Sequence, residues 1–186
     1  MKILIRYQKK GLMRFVSHLD TERVWRRAIR RADIPVVITQ GFSPKEKLEM
    51  GYPLPVGCES EGEDLIIDLA EPLPVDEIRM RLIVVLPEGF GIVSVTPYTH
   101  RDSLFQRTRE ILYQVQIPLN PPLLKGETPL FGKEGLGEIF REQTITIPVV
   151  EGKSKNLWTV LCEDLEISPD EARLLKVTRI GIQYKE

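Results

Sequence analysis

The chain has 186 residues, 42% hydrophobic and 28% charged, with 26 Lys and Arg against 27 Asp and Glu. That balance is typical of a soluble globular chain, and no apolar run approaches the roughly 20 residues that span a bilayer, which argues against a membrane partner. The two cysteines, Cys58 and Cys162, are too far apart to match a metal or redox spacing and suit a reducing, cytoplasmic compartment.

The near-zero net charge hides an asymmetry. Residues 1–50 carry 12 Lys/Arg against 5 Asp/Glu, and residues 51–92 carry 2 against 9. Either the two segments face each other, or the basic one meets a phosphate-rich or acidic partner.

The first element is KILIRYQ, residues 2–8. Ile3, Ile5 and Tyr7 alternate with polar neighbours, the pattern of a half-buried strand rather than of a signal peptide. Ser17 opens a helix as N-cap, with Asp20 placed to complete a capping box. Val24, Trp25, Ala28, Ile29 and Ala32 form its apolar stripe, and Arg23, Arg26, Arg27, Arg30 and Arg31 occupy the remaining surface. Asp33-Ile34-Pro35 closes it, because a residue before Pro avoids the α region.

VVITQ, 36–40, is β-branched and predicts a strand, followed by a Gly41-Phe42-Ser43-Pro44 turn. Pro53 and Pro55 hold the next segment extended, and DLIIDL, 64–69, predicts another strand. A helix opens at Leu73–Glu77 with Ile78, Leu82 and Val85 as its stripe; Pro87-Glu88-Gly89 stops it, and FGIVSVT, 90–96, is a further strand. The order β-α-β-β-α-β over residues 1–98 is that of an α+β, ferredoxin-like unit.

Residues 99–186 predict a shortened second α+β unit. EILYQVQIPL, 110–119, is a strand; the Pro/Gly-rich stretch 120–137 has no periodicity and predicts an inserted loop. A short helix at Glu138–Glu142, a strand at 144–150, an ambiguous segment at 156–163, a capped helix at Ser168-Pro169-Asp170-Glu171 and a last strand at 176–184 complete the chain.

The chemistry-bearing residues are few. Ser17, His18 and Asp20 sit within one helical turn, where the imidazole projects roughly 100° around the axis from the hydroxyl, so a nucleophile–base–orienter set is not expected. His18 is left unexplained by capping, and suits a contact at a helix N-terminus. Only His18 and His100 are present, neither near a Cys, and Glu59, Glu61, Glu63 and Asp64 read as a solvated loop or one facing the Arg helix. No metal site, no phosphate loop of the GxxxxGKS/T type and no iron–sulfur CxxxCxxC motif is found, so no cofactor is expected. The strongest lead is the basic set: Arg6, Lys9, Lys10 and Arg14 around the first loop, the helix arginines, and Lys45 and Lys47 beside the GFSP turn. Such a platform is one way proteins bind RNA, although the aromatic pattern of an RNA-recognition sheet is absent.

"RFVSHLD", then the Arg-rich helix, "PVVITQGFSPKEK" and "PLPVGCESEGE" together resemble the radical SAM-linked protein family, a domain of unknown function. Its members are fused to, or encoded beside, B12-binding-type radical SAM proteins. The resemblance rests on Arg14, Phe15, Ser17, His18, Leu19, Asp20, Arg27, Pro35, Gly41, Phe42, Pro44, Lys47, Pro53, Leu54, Gly57, Ser60 and Glu63, over about residues 3–97. Thr39 and Lys45-Glu46 depart from the pattern, as does the inserted and shortened second half. The resemblance implies a radical SAM protein as partner, acting on RNA or a translation component, and assigns no catalytic residue. The expectation is an accessory module rather than an autonomous enzyme, with Arg14, His18, Arg27, Arg31, Phe42, Lys45, Lys47, Ser60 and Glu63 as candidate binding residues. The Ser17–Asp20 cap, the Phe42–Lys47 loop and the Tyr52–Ser60 segment would line one surface. The alternative is an RNA-binding or metal-independent RNA-cleaving protein of the same fold.

Overall fold

The computed structural model describes residues 1–118, 140–150 and 153–185. Among them a mixed α/β architecture builds one eight-stranded, mostly antiparallel sheet with five α-helices. Strand β1 (Lys2–Lys9) turns Ile3, Ile5 and Tyr7 inward as the alternation requires, and adds Lys9 to the buried face. A 3-10 turn (Gly11–Phe15) leads into helix α1 (His18–Arg31). Trp25, Ala28 and Ile29 are its buried stripe, and Trp25 meets Tyr7 edge-on with ring centroids 4.7 Å apart.

Residues 36–40 do not form a regular strand. The Val37 N–H donates to Asp68 O and the Thr39 N–H to Lys45 O, so the extended backbone divides its bonds between two partners and makes only isolated bridges. The paired strand of this region is instead β2 (Leu48–Met50), which meets Ile67, Ile66 and Leu65 of β3 (Glu59–Asp68). Strand β3 starts five residues before the apolar DLIIDL core, so the acidic ESEGE stretch is strand as well. Its charges do not expel it from the sheet because cations of neighbouring strands meet them: Arg6 binds Asp64 with two bonds of 2.9 Å, and Arg179 binds Glu63.

Helix α2 (Val75–Val85) buries Ile78 and Leu82, and β4 (Phe90–Pro97) pairs antiparallel with β1. These elements, α1 and the inward faces of β1 and β3 enclose the first core; both helices pack on the same sheet face. Gly89 stands at φ +90 in the α2–β4 loop, where a Cβ would lie 2.7 Å from Lys10 O and from Met13 Cγ. Its carbonyl accepts from the Lys10 N–H, fixing the 3-10 turn against this loop.

Helix α3 (Leu104–Arg107) covers the opposite sheet face, where Leu104 packs with Ile66 and Tyr98. Strands β5 (Thr108–Pro118) and β6 (Phe140–Val150) pair antiparallel. The helix expected over 138–142 is therefore corrected at 140–142, which are strand: Arg141 and Glu142 take register opposite Ile117 and Gln116. Ladder bonds to β5 outweigh the weak local helix preference there. The rest of that segment, and the loop expected at 120–137, lie outside the described residues. After β7 (Lys153–Ser154), the ambiguous segment resolves as α4 (Leu157–Leu165), capped by Asn156. Ser168 and Glu171 form the expected capping box of α5 (Pro169–Leu174).

The last strand, β8 (Lys176–Tyr184), lies antiparallel to β5 and parallel to β3 at Glu59 and Ser60. The path is β4-β1-β3-β8-β5-β6-β7, with β2 on β3. Strand β3 thus meets β2 with one end and β8 with the other. A second core lies between β5, β6, β8 and helices α4 and α5, and takes in Leu54 and Cys58 from the first half of the chain.

Candidate functional site

The 3-10 turn carries two exposed apolar side chains of the motif region, Leu12 and Phe15. Its Arg14 carbonyl accepts from the Gly57 N–H at 2.9 Å, and Gly57, at φ +93, faces the ring of Trp158 with no side chain between. Phe15 is 56% exposed, and the Arg14 guanidinium lies over its ring at 4.7 Å. Phe15 is therefore a ridge held from both sides by backbone bonds, not a loosely placed loop residue.

Two grooves flank that ridge. One, about 720 Å³, runs between the turn and α1, past Ser17, Asp20, Arg27 and Arg31. The other, about 520 Å³, lies between the turn, Val56-Gly57, Trp158 and the α5–β8 connection, with Arg173 and Lys176 on its wall.

The charges on α1 are not equivalent. Arg23 pairs with Asp20 at 2.7 Å, Arg26 with Glu22 at 2.6 Å, and both Arg26 and Arg30 bind Glu46. The Arg30 hydrogen bond, foremost, holds the Glu46 carboxyl down at about 2. The acidic run is also engaged: Lys10 meets Glu61 at 2.9 Å, Arg6 meets Asp64, and Arg179 meets Glu63. The basic segment thus meets the acidic one at Arg6–Asp64, Lys10–Glu61 and Lys47–Asp68, while the arginines of α1 that pair do so with carboxylates of their own segment. Arg27 and Arg31 have no ion pair among the described residues; both are exposed and both line the larger groove. Four residues apart, they stand on one helix face about 6 Å apart along the axis.

Beneath the N-terminus of α1 lies a buried polar knot. Lys9 (2% exposed) donates to Val16 O at 2.6 Å. Arg179 (0% exposed) donates to both Glu63 oxygens at 3.0 Å, to Tyr52 O and Pro53 O at 2.7 Å, and to Tyr113 Oη at 2.8 Å. Burial lowers the Lys9 ammonium from its ordinary value and pushes the Cys58 thiol up to about 12, which leaves that thiol chemically inert. His18, half-buried at the first position of α1, is lowered chiefly by burial; Lys9 and Arg179 add to the shift, while Glu22 and Glu63 oppose it. Burial thus favours the neutral imidazole.

His18 makes no hydrogen bond with Ser17 or Asp20. The Ser17 hydroxyl accepts from the Asp20 N–H at 3.1 Å and donates to Asp20 Oδ2 at 2.7 Å. Asp20 thus reaches the Ser17 hydroxyl rather than its N–H, and no relay runs through the imidazole. Among the described residues, no three His, Cys, Asp or Glu side chains group as a metal site, and no helix is long and apolar enough to cross a membrane.

The remaining candidates are placed as follows. Ser60 and Glu63 are buried: the Ser60 hydroxyl accepts from the Gly62 N–H, and both Glu63 oxygens serve Arg179. Phe42 is fully exposed at a loop tip, and Lys45 is exposed beside it. Lys47 pairs with Asp68 at 2.8 Å, at the end of the sheet where Lys2 faces Asp68. His18 sits at the Lys9 end, roughly 20 Å of strand away. The structure therefore joins the Ser17–Asp20 cap with Arg14 and the 52–60 segment, but does not bring the Phe42–Lys47 loop to them.

Trp158, Arg173, Lys176 and Arg179 were not legible as partners of Arg14 and Glu63. Only Arg179 left a trace, as a cation at an inward position of KVTRIGIQY. Among curated proteins, none matches the chain. A family model described as an uncharacterized protein conserved in bacteria (DUF2344) matches residues 2–165, which takes in β1, the Phe15 ridge, α1 and helix α4 with Trp158. The chain belongs to that family.

Proposed function

We propose that this protein is a non-catalytic accessory module of a radical SAM enzyme, and that it presents single-stranded RNA to that enzyme across the Phe15 ridge. The carrying observation is the selective pairing on α1. Arg23, Arg26 and Arg30 are neutralised by carboxylates, while Arg27 and Arg31 share one face and one groove with an exposed aromatic ring. A cationic groove beside stacking aromatics is how proteins hold single strands without reading sequence. In this reading residues 1–98 are a ferredoxin-like unit, supported by the β4-β1-β3 order with β2 on β3 and by two helices on one sheet face. Residues 99–186 are a shortened second unit that closes one side of the site. Exposed Leu12 and Leu19, flanking the ridge, supply an apolar rim for the enzyme to dock on. The radical SAM link rests on the sequence resemblance, and a cytoplasmic location on the two free thiols.

The test is fluorescence anisotropy of a labelled single-stranded RNA titrated with the full chain at several salt concentrations. Each phosphate contact contributes about −0.7 to the slope of log K against log salt for single strands. Replacing Arg27 and Arg31 together by Ala is expected to flatten the slope by about 1.4 on that scale. Equal slopes for wild type and variant, or no binding at low salt, would overturn the RNA reading. Absence of a radical SAM gene beside this one, or of a complex between the chain and such a neighbour at micromolar concentrations, would overturn the accessory role.

A further inference from the structure

The smaller groove differs in kind from the one along α1. Its walls come from segments distant in sequence: the 3-10 turn, the Val56-Gly57 bend, α4 and the α5–β8 connection. Arg14, Arg173 and Lys176 face it, and no Asp or Glu lines it. Arg173 and Lys176 make no ion pair among the described residues, and Glu59 stands 4.0 Å from the Arg14 guanidinium. Arg14 Nε is buried without a hydrogen-bond partner. Two aromatic rings, Phe15 and Trp158, join Val56, Leu174 and Leu175 in the lining, and Gly57 brings no side chain against the Trp158 ring edge.

We propose that this groove is a nucleoside-phosphate site in which Trp158 and Phe15 take the base and Arg14, Arg173 and Lys176 take the phosphate. Its volume of about 520 Å³ falls in the range of small-ligand sites and is too large for a lone phosphate. Three cations without a lining carboxylate select an anion, and planar guanidinium groups match phosphate oxygens two at a time. Flat indole and phenyl faces select a planar ring rather than a sugar or an aliphatic acid. The site deepens the RNA reading, on which it rests only for its source of ligand: the nucleotide is either a unit of the RNA strand or a free one.

The experiment follows tryptophan fluorescence of the full chain as adenosine 5′-monophosphate is added. Trp25 is buried, so a stacking ligand quenches Trp158 alone. Quenching that saturates with the monophosphate, at least tenfold weaker with adenosine and absent with inorganic phosphate, is the expected result. Arg173→Ala and Lys176→Ala, both at exposed positions, should each weaken the monophosphate at least fivefold, whereas Arg79→Ala, exposed on α2 and outside the groove lining, should leave it unchanged. Competition by a short single-stranded RNA assigns the site to the strand. Monophosphate binding without such competition assigns it to a free nucleotide, and the RNA reading then stands or falls on the salt slope alone. No saturable quenching by millimolar monophosphate, or equal affinity in wild type and both single variants, would overturn the site.

Discussion

Arg179→Met tests the polar knot that joins the two halves of the sheet. The substitution roughly keeps side-chain length, so little cavity is opened. What it removes is the only cation hydrogen-bonded to Glu63 among the described residues, together with the donors to Tyr52 O, Pro53 O and Tyr113 Oη. Breaking a buried pair by deleting one partner costs about 3–5 kcal/mol. Protonation of Glu63 sets a separate limit on the charge part of that cost. Taking a carboxyl from an unfolded value of about 4.3 to neutrality at pH 7 costs at most roughly 3.7 kcal/mol at about 1.36 kcal/mol per pH unit. Lys9, buried nearby, reduces it further.

Stranding a buried carboxylate without its cation is expected to favour the neutral form of Glu63 in the folded variant. Its stability contribution is therefore complete below about pH 4.3 and is lost as pH rises toward its raised folded-state value. The variant's deficit should accordingly grow between pH 5 and pH 7, by up to roughly 2.7 kcal/mol over those two units. The assay is urea unfolding followed by circular dichroism at both pH values, with an unchanged slope as the check on two-state behaviour. Adding Glu63→Gln to the variant should recover stability at pH 7, because it removes the stranded charge. A deficit under 1 kcal/mol at pH 7, or one that is the same at pH 5, would refute the reasoning.

Two further outcomes follow from other parts of the molecule. The Glu46 carboxyl, held at about 2 by Arg30 and Arg26, contributes stability that is present above its unfolded value near 4.5 and lost as pH falls toward 2. Because Arg30 is largely exposed and screened, that contribution is roughly 1–2 kcal/mol rather than the full shift, and Glu46→Gln should flatten the acid limb of stability against pH by that amount. Gly89→Ala meets both a positive φ and the Lys10 carbonyl. It should cost about 2–3 kcal/mol by thermal unfolding and weaken nucleotide binding with it, since the same contact seats the 3-10 turn; an unchanged midpoint would refute the role given to this glycine.

Legibility followed the range of the interactions involved. The Ser17 cap, the Trp25-Ala28-Ile29 stripe, the Ser168–Glu171 box and the β1 alternation were readable because each is decided within a turn or a strand. The failures at 36–40, at 59–63 and at 140–142 share another cause. There the strand or its absence is set by partners elsewhere in the chain, and local propensity points the other way. The same holds at the site. Arg27 and Arg31 could be named from the sequence, but so could Arg23, Arg26 and Arg30, which the fold neutralises. Ser60 and Glu63 carry the motif resemblance, yet their side chains are turned into the interior.

The sequence by itself determined the capped helices, the inward face of β1 and the charge asymmetry, because these depend on spacing and composition alone. Only the tertiary structure decided which charges remain unpaired and which residues meet across distance. Trp158, 144 positions after Arg14, reaches the Phe15 ridge because β3 pairs with β8 and carries the second core against the 52–60 segment. A cation's partner is chosen by where the sheet register places the nearest carboxylate, and that register is a property of the folded chain.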